Sequence, residues 1–270
     1  MPRIKYTGCP LCGSPDSKKL AEADCTSHPL YVPEIEPVMV WMQCNPCGHV
    51  YTDGYFSDEQ NKALFSRSHP NQLPGYELER GRAVSARIVE RVVDVAQRAH
   101  CWPIGEEFGR WLDVGFGDGT LLMAAQEYGF DPVGIDLRSQ AVSKLKEYNI
   151  EAFENRMFNF GMDECYFDYD VVSMCDVLEH ERWPRDCFRA VYRALQPDGV
   201  VLLSMPNMDS VAWRETTKAG INPYWWEVEH FHNFTRARLY KLLEEMGFRV
   251  VWFGISERYR MGMEVIARKA

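Results

Sequence analysis

The sequence lacks two features that would place the protein in or across a membrane. No apolar run approaches the roughly 18 consecutive residues that a membrane-spanning helix requires. The N-terminus also lacks the pattern of a secretion signal. We therefore expect a cytoplasmic protein with no membrane span.

An excess of positive charge is also missing. The 270 residues include 30 Lys and Arg against 39 Asp and Glu, which gives a formal net charge of -9. Because nucleic-acid binding depends on clustered Lys and Arg, this balance disfavours a nucleic acid as the main partner. A local basic patch can hide within a negative total, so a nucleic-acid partner remains an alternative.

A glycine-rich stretch between an apolar strand and an amphipathic helix carries the clearest functional signal. It reads Trp-Leu-Asp-Val-Gly-Phe-Gly-Asp-Gly-Thr over residues 111–120. The glycines at 115, 117 and 119 allow a sharp turn and let a ligand approach the backbone closely. The spacing is not the dinucleotide fingerprint, and Asp113 at the strand end would repel a pyrophosphate but suit an ammonium group. The pattern indicates a ligand with a nucleoside at one end and an amino acid at the other, although a structural turn is the alternative for the loop alone.

A second strand ends in Gly134-Ile-Asp136, about 20 residues beyond the glycine loop. At that distance an acidic side chain can bind both ribose hydroxyls. With these two motifs the chain resembles the class I S-adenosylmethionine-dependent methyltransferases, although Phe116 stands where their first motif usually has cysteine. The resemblance covers about residues 107–268. It implies cofactor contacts from a set of residues at three strand ends: Asp113, Gly115, Phe116, Gly117, Asp136, Leu137 and Asp176.

Two matching C-x-x-C-G turns occur near the N-terminus, with cysteines at 9 and 12 and at 44 and 47. The trailing glycine of each turn lets both sulfurs point at one centre. Four thiolates from two such turns form a closed, structural zinc site, so Cys9, Cys12, Cys44 and Cys47 are predicted zinc ligands. Two disulfides are the alternative, which a reducing compartment disfavours.

Three segments follow from these motifs. Residues 1–53 are predicted to form a small zinc ribbon that gains much of its stability from the metal. Residues 54–104 form a helical linker that covers the cofactor, or a helix that only packs. Strands and helices alternate over residues 105–270, which predicts an α/β domain with a parallel sheet. The family resemblance implies a Rossmann-like, doubly wound, seven-stranded sheet whose last two strands form an antiparallel hairpin.

Two stretches beyond the predicted strand ends are rich in reactive side chains. Asp176-Val-Leu-Glu179-His180 resembles a run in methyltransferases of the ubiquinone-biosynthesis and sugar type. A later segment contains His230 and His232, which alternate along an extended chain, so only one should face the pocket. Imidazoles can accept a proton at neutral pH, which makes Glu179, His180, His230 and His232 the catalytic candidates. His180 could instead be structural, and Asp176, Glu179, His180 and one later histidine could together hold a divalent cation.

These features predict methyl transfer from S-adenosylmethionine to a small hydroxylated acceptor. A sugar of a surface glycan or a secondary metabolite is the favoured acceptor, because the resemblance includes families that pair an N-terminal zinc ribbon with this domain. An RNA base methyltransferase is the first alternative. A scaffold that binds the cofactor without turnover is the second.

Overall fold

In a computed structural model of the chain, residues 2–65, 72–99, 109–157, 168–259 and 261–270 are described. Among them no helix is both long and apolar enough to cross a bilayer. The predicted boundary at residues 104 and 105 falls outside the described residues, as does the predicted start of the family resemblance at residue 107.

The larger part of the fold is a seven-stranded, mostly parallel sheet with the strand order β12-β13-β10-β9-β6-β7-β8. The last two strands pair antiparallel with each other, and β13 also pairs antiparallel with β10. This confirms the predicted seven-stranded α/β fold with its terminal hairpin. Its strands are β6 (Arg110–Val114), β7 (Asp131–Asp136), β8 (Glu151–Glu154), β9 (Tyr169–Cys175), β10 (Leu195–Pro206), β12 (Phe248–Ile255) and β13 (Gly262–Lys269).

Helices cover both faces of this sheet because successive strand residues point to opposite sides. On β6, Trp111 faces one core and Leu112 the other. The Trp111 side carries α2 (Leu78–Arg98), α3 (Thr120–Glu127) and α4 (Ser139–Lys146). The Leu112 side carries α5 (Pro184–Ala194) and α7 (Arg236–Glu245). Two further α-helices, α1 (Asp58–Phe65) and α6 (Val211–Lys218), and two short 3-10 helices, Leu178–His180 and Pro223–Trp225, complete the described helices.

The strand β10 begins at Leu195, because Leu195 already pairs with Tyr169 of β9 before an irregularity in the register. The helix α7 is capped at its N-terminus, since the Thr235 hydroxyl accepts a hydrogen bond from the Arg238 backbone N–H.

The N-terminal region forms a separate four-stranded sheet in the order β11-β4-β3-β2. It consists of β2 (Ser17–Asp24), β3 (Val38–Cys44), β4 (Val50–Thr52) and, from much later in the chain, β11 (His232–Asn233). A two-stranded sheet joins β1 (Ile4–Lys5) to β5 (Gly54–Tyr55).

The core of the N-terminal region is shared with the late segment that leads into β11. Trp41 and Val50 are buried there against Val228 and Phe231. The sequence suggested that this region could not form a core unaided. Side chains from the late segment supply part of the missing apolar surface, and they tie the N-terminal region to the larger domain.

Candidate active site and metal centres

The glycine loop after β6 has the backbone shape that its sequence predicts. Gly115, Gly117 and Gly119 have φ values of +64°, +58° and +70°, in the left-handed region that favours glycine. A Cβ on Gly115 would lie 2.8 Å from a methyl carbon of Val177, in the turn after the neighbouring strand β9. Glycine at 115 therefore lets Val177 pack against the loop, which brings the loop directly beside the second group of candidate residues, whereas a Cβ on Gly117 would meet nothing nearer than 3.9 Å.

Asp136, at the end of β7, reaches toward this loop. Its Oδ2 lies 3.4 Å from the Gly117 backbone nitrogen. The Arg138 guanidinium donates to both carboxylate oxygens, through Nε to Oδ1 at 2.9 Å and through Nη2 to Oδ2 at 2.8 Å. This pair was not predicted from the sequence, although a basic residue two positions after the acid was a visible signal.

Phe116 and Leu137, which were also predicted as cofactor contacts, lie in different environments. The Phe116 side chain is buried in the core, so close to Gly134 that a Cβ there would lie 2.6 Å from its ring. It therefore fills space beneath the loop, and only its backbone can face a ligand. Leu137 is half-buried immediately after Asp136.

Asp113 is buried at the end of β6 and is 3% exposed. Its Oδ1 accepts a hydrogen bond from the Ser173 hydroxyl at 2.6 Å. Burial raises the pKa of the Asp113 carboxyl to about 7, because desolvation disfavours the charged form more strongly than the Ser173 hydrogen bond favours it. A cationic ligand group beside this carboxyl would restore its ionised form.

Asp176 follows β9 and has a left-handed backbone, with φ +57°. Its Oδ2 lies 3.5 Å from Nη2 of Arg258, in the loop between β12 and β13. Burial raises the pKa of the Asp176 carboxyl, and the Arg258 charge opposes that rise. Arg258 is a second basic residue at this site that the sequence analysis missed, since only the closing hairpin brings it near β9.

Glu179, His180 and His230 form a compact cluster just beyond Asp176. Each offers a ligand atom within 4.8 Å of the others, and the two imidazole rings meet edge to face at 4.6 Å. His180 Nδ1 lies 3.0 Å from the Glu229 backbone carbonyl, which can only accept. His180 therefore carries its proton on Nδ1, which leaves the Nε2 lone pair available as a base or metal ligand.

Burial favours the neutral form of every member of this cluster. Glu179 is 1% exposed, and neither carboxylate oxygen has a hydrogen-bond partner among the described residues. Desolvation raises the pKa of Glu179 well above its ordinary value and lowers the pKa of both His180 and His230. His230 Nδ1 also lacks a partner in the described structure. Such unpaired buried groups are costly, and a bound cation or acceptor hydroxyl would satisfy them.

His232 lies apart from this cluster, although it was one of the four catalytic candidates. Its Nε2 donates to the Glu181 backbone carbonyl at 2.7 Å, and its Nδ1 lies 3.0 Å from His49 Nε2. Burial lowers the pKa of His232 to about 3. With both ring nitrogens engaged, His232 cannot accept a proton from a ligand, and of the two alternating histidines only His230 joins the cluster.

Aromatic side chains and the N-terminal region complete the walls around the cluster. Tyr224 stacks on His230 with ring centroids 5.9 Å apart and on Trp213 at 5.3 Å. From the N-terminal half, the Phe65 ring meets His180 at 5.9 Å and His28 pairs with Glu227. Neither Phe65 nor His28 stood out in the sequence, because more than 100 residues separate each from its partner.

The four cysteines of the two N-terminal turns meet at one point. The Cys9 and Cys47 sulfurs are 3.6 Å apart, those of Cys12 and Cys44 are 3.5 Å apart, and all four lie within 4.8 Å of one another. Ligands at about 2.3 Å in a tetrahedron would place sulfurs about 3.8 Å apart, so the set fits a zinc ion. These separations are far longer than the roughly 2.05 Å of a disulfide bond.

Comparison with known proteins agrees with this geometry. A family profile described as a methyltransferase domain matches residues 85–252. The ubiquinone biosynthesis O-methyltransferase of Idiomarina loihiensis is 30% identical over 107 residues, which is 38% of this chain and 44% of that protein. The chain thus spans less than half the length of this curated relative.

Two solved structures share the fold. An N1-methyltransferase for 1,6-didemethyltoxoflavin from Burkholderia thailandensis superposes with a TM-score of 0.56 at 16% identity, over 82% of this chain and 96% of that one. A methyltransferase from Archaeoglobus fulgidus superposes with a TM-score of 0.50 at 19% identity, over 67% and 94%. The domain match covers more than half of the sequence and agrees with the sheet order and the glycine loop. The chain belongs to the class I S-adenosylmethionine-dependent methyltransferases.

Proposed function

We propose that the protein transfers a methyl group from S-adenosylmethionine to a hydroxyl oxygen of a small acceptor, and that His180 accepts the hydroxyl proton. The observation that carries this proposal is the free Nε2 lone pair of His180, fixed by the Nδ1 hydrogen bond to Glu229, in the turn beside the glycine loop. The cofactor, when bound, supplies an already activated methyl group. The chain then has to bind and orient both ligands, exclude water and remove one proton.

The residues at three strand ends fit the parts of the cofactor. The Asp113 carboxyl would hold the ammonium group, and Asp136 would bind the ribose hydroxyls. The open backbone at Gly117 would let the ligand approach closely, with Gly115, Phe116 and Leu137 contributing main-chain contacts. Asp176 lies between this set and the acceptor side, where its carboxylate can contact either ligand.

The acceptor class is proposed from the walls of the cluster. Tyr224 packs between His230 and the buried Trp213, so its ring edge gives the wall an aromatic surface for a sugar or an aromatic metabolite, and nearby carboxylates can accept hydrogen bonds from the acceptor hydroxyls. The similarity to O-methyltransferases supports oxygen as the acceptor atom. A sugar of a surface glycan or a secondary metabolite remains the favoured acceptor, and an RNA base is the runner-up that the net charge of -9 disfavours.

A second candidate role for the same residues is metal-assisted transfer. Glu179, His180 and His230 offer a carboxylate and two imidazoles within 4.8 Å of one another, and the Glu179 oxygens have no other partner among the described residues. Such mixed ligands suit a divalent transition metal. In that case His180 Nε2 would bind the cation, and the cation would lower the pKa of the acceptor hydroxyl.

We also propose zinc in the four-cysteine site, with residues 1–53 as a zinc ribbon, 54–104 as a helical cover and 105–270 as the methyltransferase domain. The sulfur geometry supports the metal. Four thiolates leave no open position for a substrate, so this zinc would be structural. We also propose a cytoplasmic location, where a reducing environment would keep these four thiols available to bind zinc.

A methyl-label transfer screen tests the proposed function. The protein is incubated with methyl-labelled S-adenosylmethionine and separated glycan, RNA and small-molecule fractions of a cell extract. Base-stable label in the small-molecule or glycan fraction supports methylation of a hydroxyl oxygen, because a methyl ether resists base hydrolysis whereas a methyl ester does not. Label in RNA alone would replace it with the runner-up, and no label in any fraction would favour a cofactor-binding scaffold.

Replacing Asp136 by Ala should weaken S-adenosylmethionine binding by at least tenfold. Each charge-assisted hydrogen bond from a ribose hydroxyl to this carboxylate should contribute about 1.5 to 3 kcal/mol. Calorimetric titration measures the effect. Asp131→Ala is the matched control, because Asp131 is an exposed acid at the other end of the same strand and should leave binding unchanged. Unaltered affinity in Asp136→Ala would contradict the ribose assignment.

Cofactor affinity should also depend on pH through Asp113. Its pKa in the free protein is raised to about 7, and the ammonium group requires the ionised carboxylate. Affinity should therefore fall as pH decreases below 7, by up to about tenfold per pH unit, and level off above it. The folding stability of the free protein should change with pH in the opposite direction. Because the Asp113 pKa is higher in the folded than in the unfolded protein, this group stabilises the fold at low pH, and its contribution is lost as pH rises from about 4 to 7. Asp113→Asn should bind weakly with little pH dependence, and a parent-like pH profile in this variant would disprove the assignment.

A further inference from the structure

Two buried histidines connect the second cysteine turn to the turn that carries Glu179 and His180. His49 follows Cys47 and Gly48 directly, and its Nε2 lies 3.0 Å from Nδ1 of His232. His232 Nε2 in turn lies 2.7 Å from the backbone carbonyl of Glu181, the residue after His180. Both histidines are at most 1% exposed, so water cannot substitute for either partner.

The Glu181 carbonyl, which accepts the second of these two hydrogen bonds, fixes the direction of both. A carbonyl only accepts, so His232 carries its proton on Nε2 and presents an Nδ1 lone pair. That lone pair requires a donor, which makes His49 the Nε2-protonated tautomer. His49 Nδ1 is then unprotonated, and no acceptor lies within hydrogen-bond distance of it in the described structure, which is consistent with this tautomer.

A main-chain route runs parallel to the histidine pair. The Thr52 N–H of β4 donates to the Phe231 carbonyl at 2.9 Å, and the Phe231 N–H donates to the Glu179 carbonyl at 2.7 Å. The strands β4 and β11 also pair, with Tyr51 opposite His232. The N-terminal sheet thus contacts the Glu179–Glu181 turn on both sides of His180, at residues 179 and 181.

We propose that His49 and His232 are positioning residues: as a neutral hydrogen-bonded pair they hold the Glu179–Glu181 turn so that His180 faces the acceptor. The role of His180 as the base rests on the proposed function, whereas the positioning of the turn by His49 and His232 does not. Aromatic rings of Tyr51 and Phe234 pack against His49 at centroid distances of 6.0 and 4.9 Å and limit its rotation. Without the pair, the Glu181 carbonyl would lose its buried donor and the turn would be free to shift.

The test follows the His180 Nδ1 proton by NMR in protein with ¹⁵N-labelled histidine, bound to S-adenosylhomocysteine. The sequence has seven histidines, few enough to assign by substitution. In the parent we expect His49 and His232 as Nε2-protonated tautomers and a protected His180 Nδ1 proton. His232→Phe should speed exchange of that proton by about tenfold or more and His49→Phe by less, because the first removes both hydrogen bonds and the second only one.

His49→Gln should restore protection, because its amide N–H can replace the imidazole Nε2 donor. Tyr51→Phe is the matched control: it removes a hydrogen bond from the same strand, to the Ser17 hydroxyl at 2.8 Å, outside the proposed route. Unchanged His180 exchange in folded His49→Phe, an equal effect of Tyr51→Phe, or an Nδ1-protonated His49 in the parent would each overturn the proposal. If His232→Phe does not fold, the exchange rates of the His49 variants and the histidine tautomers of the parent still test the proposal. Failure of methyl transfer would refute the proposed function without affecting these signals.

Discussion

Replacing His180 by Ala is expected to reduce methyl transfer by about 100-fold or more while leaving S-adenosylmethionine affinity unchanged. A positioned general base typically contributes that much, and His180 holds its Nε2 lone pair ready through the hydrogen bond from Nδ1 to Glu229. Turnover with the acceptor fraction found by the label screen, together with cofactor titration, measures both quantities.

His28→Ala is the matched control for this variant. His28 is a partly buried histidine near the same pocket, but its Nδ1 accepts from the Leu30 N–H at 3.2 Å and its Nε2 contacts Glu227. Since neither nitrogen is free for an acceptor, its loss should lower turnover by well under tenfold. Comparable losses in the two variants would show that any disturbance of the pocket lowers the rate, and would contradict a specific role for His180.

A chelator distinguishes the base from the metal alternative. If Glu179, His180 and His230 hold a catalytic cation, brief chelation should abolish activity in the parent, and magnesium or manganese should restore it. Zinc in a closed thiolate site should exchange more slowly and survive this treatment. If His180→Ala and His230→Ala both retain near-parent rates and chelation has no effect, proximity alone would have to account for the reaction.

The second large effect is expected at the cysteine site. The purified protein should contain one zinc per chain, and Cys9→Ser or Cys44→Ser should lose it. Metal binding contributes about 10 kcal/mol or more to the folding of small zinc domains, so the N-terminal sheet should become readily cleaved by protease. Elemental analysis and limited proteolysis measure the two changes, and cofactor affinity should remain nearly intact because the glycine loop lies in the other sheet.

Cys25→Ala is the control for zinc loss. Cys25 is fully buried in the same region but lies outside the four-sulfur cluster, so this variant should keep its zinc. Absence of zinc from the parent would contradict the assignment. So would a count of five free thiols among the nine cysteines, which is the number expected if two disulfides replaced the metal site.

The parts of the site that the sequence predicted are those encoded within short stretches. The glycine loop with Asp113 spans a few residues, and Asp136 follows at a distance set by one helix and one strand. In the structure Asp113 lies near the end of β6 and Asp136 at the end of β7. The Cys-x-x-Cys turns are equally local, and their glycines at 13 and 48 adopt positive φ values.

What the sequence could not predict depends on contacts between distant residues. His28 meets Glu227, and β4 pairs with β11, across separations that leave no periodic signal. His232 looked equivalent to His230 because alternation assigns the two to opposite faces without saying which face lines the pocket. In the structure His232 points away from the Glu179, His180 and His230 cluster, because its ring nitrogens contact His49 and the Glu181 carbonyl. Arg138 lies only two residues after Asp136, but whether the two side chains pair depends on the backbone path between β7 and α4.

The pairing of β4 with β11 also constrains the order in which the chain can fold during synthesis. Tyr51 pairs with His232, 181 residues later, so the N-terminal sheet lacks its fourth strand until most of the chain has left the ribosome. At about 5 to 20 residues per second this interval lasts about 9 to 36 seconds. Throughout it, Trp41 and Val50 lack the apolar side chains of Val228 and Phe231 that later cover them. The nascent N-terminal region is therefore exposed to aggregation and to chaperone binding during this interval.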